Sequence, residues 1–134
     1  MTLRSSASLA VIVCAISLAH SLSYGAARTK SRIYSNVEYN EEGGDLLGYE
    51  LEFHLNGSQV TGVLRIYEGG CGSPTPVAGT LAESKLSLSG KNDFYGKVDI
   101  SGSISNNLVK ATLHMEKAAR PETIKLKTIR KPHC

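Results

Sequence analysis

The sequence has no tryptophan, two phenylalanines, two methionines, four prolines and three cysteines in 134 residues. With aromatics at 6%, few rings are present for stacking nucleic-acid bases. The thirteen glycines and four prolines follow no fixed period and heptads are missing, which excludes a collagen-like rod and a coiled coil. Three cysteines are too few for a disulfide-dense miniprotein. No G-x-S-x-G occurs, and Gly69-Gly70-Cys71-Gly72 lacks the lysine and following hydroxyl of a phosphate loop. What remains is a chain long enough for one small domain, with 41% hydrophobic and 20% charged residues, a globular and not a disordered composition.

The N-terminus stands apart. Arg4 precedes an apolar run from Ala7 to Ala19, which His20, Ser21 and Ser23 end. That run is shorter than the roughly 20 residues a membrane-spanning helix requires. It reads as a secretory signal peptide over residues 1–27, cut somewhere within 19–27, leaving a single domain over 28–134. Cys14 follows bulky Val13 inside the apolar run, unlike an acylated lipoprotein cysteine, so no stable membrane anchor is expected. The destination is then secreted or periplasmic, an oxidising space in which the two surviving thiols, Cys71 and Cys134, are expected to pair. The bond would close a loop of roughly 63 residues, worth about 4 kcal/mol on the chain-entropy account. A catalytic thiol or a bond between two chains is the alternative use of these sulfurs.

Hydrophobic periodicity in the remainder is that of strands. Leu47, Tyr49, Leu51, Phe53 and Leu55 alternate with Gly48, Glu50, Glu52 and His54, which predicts a half-buried strand. Asn56-Gly57-Ser58 is a hairpin turn signal, and residues 59–68 return from it. Further strands are expected over 76–81, 85–89, 95–104, 109–116 and 123–129, with a weak first strand at 33–37. No segment carries the 3.6-residue stripe of a sizeable helix.

Seven to eight consecutive strands joined mainly by short turns predict an all-β, antiparallel meander. Such a sheet protects its edges by closing, so a small up-and-down barrel is the expected architecture, with a two-sheet β-sandwich as the alternative. The gross order is similar to lipocalin-like and avidin-like barrels, but their aromatic signatures are missing here and no family is assigned. The interior is either filled by its own side chains or hollow enough to carry a small apolar ligand, in which case Tyr49, Phe53, Leu64 and Met115 would line it.

Charge is unevenly spread. Between Ile33 and Glu68 the acids Glu38, Glu41, Glu42, Asp45, Glu50, Glu52 and Glu68 face one base, Arg65. From Lys110 to the end, Lys110, Lys117, Arg120, Lys125, Lys127, Arg130 and Lys131 outnumber Glu116 and Glu122. Attraction across the closing seam of a barrel is one reading. A basic face of Lys110, Lys125, Lys127 and Arg130 docking an anionic cell-surface polymer or an acidic protein is the other, with the loop from Gly69 to Thr75 as a second contact. Nucleic acid fits poorly, because the chain without its leader carries only about +2 and is exported.

Signals for chemistry are weak. Glu50, Glu52 and His54 share one strand face, and His114 with Glu116 forms a similar pair, but outward charges on a strand are ordinarily solvated, so neither a metal nor another cofactor is expected. Asn40-Glu41-Glu42-Gly43-Gly44-Asp45 lacks the spacing of a twelve-residue calcium loop. The sequence thus favours a monomeric, non-enzymatic binding or inhibitor-like module. A small-ligand carrier is the second reading and a hydrolase using Glu52 and His54 the third.

Overall fold

The computed structural model describes residues 30–134, so the expected signal peptide over 1–27 and Cys14 lie outside the described residues. The strands are β1 (Arg32–Ser35), β2 (Glu38–Asn40), β3 (Asp45–Asn56), β4 (Gln59–Gly69), β5 (Pro74–Ala82), β6 (Lys85–Asn92), β7 (Gly96–Ser105), β8 (Leu108–Met115) and β9 (Glu122–Ile129). Each of β3 to β8 pairs antiparallel with the next, and β1 pairs with both β9 and β3. One sheet therefore closes on itself as an eight-stranded up-and-down barrel, and the two-sheet alternative does not apply.

The ninth strand, β2, was not legible as a separate element. It prolongs β1 along β3 in an unbroken register, Ser35 opposite Glu50 and Glu38 opposite Leu47. The break falls where the Asn36 side chain takes over the ladder. Its Oδ1 accepts the Tyr49 N–H at 2.7 Å while the Asn36 N–H donates to the Tyr49 carbonyl at 3.0 Å. Gly48 sits opposite with φ +129, and a Cβ there would lie 2.9 Å from the Asn36 carbonyl oxygen.

The two ends of the barrel differ. Two-residue turns, Gly57-Ser58, Glu83-Ser84 and Asn106-Asn107, join the strands at one end. Gly57, Glu83, Ser84 and Asn106 all adopt positive φ, the conformation whose twist matches tight hairpins. At the other end the connections are longer: 41–44, 70–73, 93–95 and 116–121. This end is called the mouth below.

Alternation puts one continuous cluster inside. Leu51 and Phe53 of β3, Leu64 of β4, Leu88 of β6, Ile100 of β7, Leu113 of β8 and Leu126 of β9 are all buried in it. Phe53 stacks on Tyr34 with ring centroids 5.7 Å apart. Gly62 faces Phe53 across the β3–β4 ladder, and a Cβ there would fall 2.2 Å from the Glu52 carbonyl oxygen, so the close approach of these strands requires glycine.

The expected attraction across the seam is not what seals it. Lys127 of β9 pairs with Ser35 of β1, and the acidic strand β3 lies one strand further away. Among the described residues the ion pairs join Arg65 to Glu50 and Glu52, Lys97 to Asp99, and His133 to Glu50, so none links β1 to β9. Backbone pairing and the inward side chains hold the closure.

Candidate functional site

Three places on the barrel concentrate polar chemistry, and the first is covered. Cys71, just after β4, is bonded to Cys134, with their Cα atoms 6.0 Å apart. To reach it from the end of β9, residues 130–134 run as a strap over the outer faces of β1, β3 and β4. Beneath the strap Glu50 is 0% exposed. Its Oε2 accepts the His133 backbone N–H at 3.1 Å and lies 2.7 Å from His133 Nδ1. Its Oε1 accepts from Arg65 at 3.3 Å and from the Tyr67 hydroxyl at 3.4 Å. Arg65 also donates to Glu52 Oε2 at 3.1 Å, and the Ser31 hydroxyl donates to Glu52 Oε1 at 3.0 Å. Burial, followed by the Glu50 charge, raises the Tyr67 phenol above its ordinary range.

Serine, histidine and glutamate meet here without forming a relay. Ser35 Oγ lies 3.5 Å from His133 Nδ1, the same nitrogen that faces Glu50. A nucleophilic triad needs its hydroxyl and carboxylate on opposite ring nitrogens. Ser35 Oγ is moreover occupied in accepting the Val37 N–H at 3.0 Å. Glu52 is no better placed as a general base. Burial alone would raise its carboxyl, but the Ser31 hydroxyl, the Arg65 guanidinium and His54 outweigh that and hold it below the ordinary glutamate range, away from neutral pH. No group of three or more metal-ligating side chains is arranged to hold an ion among the described residues.

The second place is the mouth. Tyr49 points inward at the top of β3 and donates its hydroxyl to Glu122 at the start of β9, while Tyr95 donates to Glu68 at the end of β4. The hydrogen bond to Glu68, then burial, pushes the Tyr95 phenol up to about 12. Burial acts first on Tyr49 and raises it further, helped by Glu122, Glu68 and Tyr95. Beside this cluster a cleft of about 490 Å³ opens between loops 70–73 and 93–95, lined by Ile66, Glu68, Thr75 and Tyr95 among others. Leu47, Tyr39 and Phe94 are exposed around the mouth loops.

The raised phenols make alkaline stability a test of this geometry. A phenol held protonated in the fold contributes stability that is complete below about pH 10, the unfolded value. That contribution disappears as pH climbs through the folded value, about 12 for Tyr95. Absorbance at 295 nm is expected to show Tyr49, Tyr67 and Tyr95 ionising later in the folded protein than in urea. Coincident titration curves in the two states would mean that these hydroxyls are not held as described.

The third place is the tight-turn end and the adjoining outer wall. Lys110 of β8 stands directly opposite Lys125 of β9, and Ser103 then Lys85 continue the same row across β7 and β6. Lys127 follows on β9, and Arg130 opens the strap. None of Lys85, Lys110, Lys125, Lys127 and Arg130 has an acidic partner among the described residues. Arg130 also lines a cleft of about 620 Å³ together with Lys30, Arg32, Asn106 and Asn107, and among the described residues no carboxylate contributes to its walls.

The sequence-derived residues thus separate. Cys71 and Cys134 are bonded to one another. Lys110, Lys125 and Lys127 stand on the exposed face of β8 and β9, and Arg130 follows the end of β9. Phe53 and Leu64 lie fully buried in the core and Met115 at its edge, while Tyr49 stands half-buried above them at the mouth. The sequence reading assigns no site role to Lys30, Arg32, Lys85, Glu68, Phe94, Tyr95 or Glu122. Strand order would have brought Lys85 into the basic row, since outward positions at matching distance from tight turns align across a meander. No family, curated protein or solved structure matches the chain.

Proposed function

We propose that this chain is an exported, non-enzymatic binding module that docks an anionic macromolecule, a cell-surface polymer carrying sulfate, phosphate or carboxylate groups, through its tight-turn end and the outer wall of β8 and β9. The observation that carries this reading is Lys110 facing Lys125 with no acid between them. Like charges directly opposite in a ladder destabilise the sheet. A cost of this kind without a compensating partner in the fold points to a partner outside it. The cleft of Lys30, Arg32 and Arg130, which has no carboxylate among its described lining residues, extends the same surface around the end of the barrel. The apolar leader and the disulfide support export.

The test is a binding titration with a sulfated polysaccharide and with inorganic polyphosphate. Affinity is expected to fall steeply as salt rises from about 0.05 M to about 0.5 M, where screening shortens to a few ångströms. The double substitution Lys110→Gln, Lys125→Gln is expected to weaken binding at least tenfold while slightly raising Tm, because it removes a repulsion from the folded state. Salt-insensitive binding, or equal affinity of the double variant, would remove the basis of the proposal.

A further inference from the structure

Independently of that surface, the mouth presents chemistry of the opposite sign. Glu68 and Glu122 each accept a hydrogen bond from a tyrosine hydroxyl, and neither has a cationic partner among the described residues. An ionised carboxylate has about four acceptor positions, so each retains capacity for a further donor. The cleft beside Glu68 has a volume of about 490 Å³, within the span of small-molecule sites. At its rim Phe94 is 74% exposed. Its one ring contact among the described residues is edge-to-face with Tyr95, centroids 4.9 Å apart. An aromatic this large, held at a loop tip without core burial, leaves a ring face available to a ligand.

The cleft is also rigidly built. Asn92 Oδ1 accepts the N–H groups of Phe94 at 2.8 Å and Tyr95 at 2.9 Å, while its Nδ2 donates to the buried Thr75 Oγ1 at 2.7 Å. The facing loop is anchored by the Cys71–Cys134 bond. Such fixing reduces the ordering cost of binding.

We propose that this cleft is a binding site for a small organic cation with an apolar body, an aryl- or alkylammonium, its nitrogen on Glu68 and its body against Phe94 and Tyr95. An ammonium supplies the donors the carboxylate lacks and is attracted to aromatic faces. An anion would meet Glu68 and Asp93 in the lining, with Lys91 as the one base among the described lining residues. A neutral apolar molecule would strip water from Glu68 without replacing its hydrogen bonds.

The experiment is an amide-resolved NMR titration of the full disulfide-bonded domain with 2-phenylethylammonium chloride, repeated with 2-phenylethanol and with phenylacetate. Saturating shifts are expected at Ser73, Thr75, Phe94 and Tyr95, with the alcohol at least tenfold weaker and phenylacetate silent. Glu68→Gln and Phe94→Ala alter exposed side chains, and their unchanged spectra elsewhere will establish that each remains folded. Glu68→Gln is expected to weaken the ammonium at least tenfold and Phe94→Ala several-fold, whereas Lys110→Gln, Lys125→Gln should leave it unchanged. Equal binding of the alcohol, full affinity in Glu68→Gln, or no shift up to about 10 mM ligand would each overturn the site without touching the polymer-docking reading.

Discussion

Replacing Cys71 and Cys134 together with serine is expected to lower the free energy of unfolding by about 3–4 kcal/mol. The bond spans 63 positions, and most of its effect falls on the unfolded chain, which loses loop-closure freedom when cross-linked. A second contribution arises in the folded state. The bond holds the strap, the strap delivers the His133 N–H to Glu50, and Glu50 is fully buried beneath it. Opening the bond lets that segment fray and water reach the carboxylate. Urea unfolding of the oxidised protein and of the double serine variant measures the difference, provided the m-values agree. A loss below about 1 kcal/mol would mean that the strap is held by its hydrogen bonds and the disulfide is incidental.

Arg65→Met carries the second large expected effect, a loss of about 3 kcal/mol, because a buried ion left without its partner costs about 3–5 kcal/mol. The lower end of that range applies, since His133 and Tyr67 still donate to Glu50. Methionine keeps most of the apolar stem, so the loss reports the charge and not the packing. The decisive comparison is a double-mutant cycle. Combining Arg65→Met with Glu50→Gln is expected to recover part of the loss, since the buried charge is then gone. Strict additivity of the two substitutions would mean that Arg65 and Glu50 are not energetically coupled.

This buried network is also the clearest case of what the sequence conceals. The alternation of residues 47–55 correctly directs Leu51 and Phe53 inward and Glu50, Glu52 and His54 outward. Alternation distinguishes two faces of a strand but says nothing about what covers the outer one. Glu50 therefore reads as solvated when it is among the most buried residues of the chain. The missing information is non-local and was nevertheless available in two pieces. If Cys71 follows β4 and Cys134 follows β9 in a closed meander, the tail must cross β1 and β3 to join them. Combining the cross-link with strand order therefore predicts a covered outer wall. Barrel closure was legible because strand signals recur at short spacing and an open sheet of this length would leave edges exposed. The tyrosine–glutamate contacts at the mouth were not, because they join strand ends brought together only by the curvature of the whole barrel. Acid and base segments far apart in sequence suggested a seam, but charge runs reveal composition and not register, and β1 stands between them.

The pairing of β1 with β9 also bears on how this molecule comes into being. Tyr34 of β1 finds its partner in Thr128 of β9, so the sheet keeps two raw borders until its last strand has been delivered. Contacts of such long sequence separation place a protein among the slow folders. A product truncated before Glu122 would display both borders permanently, and its characteristic fate would be edge-to-edge self-association.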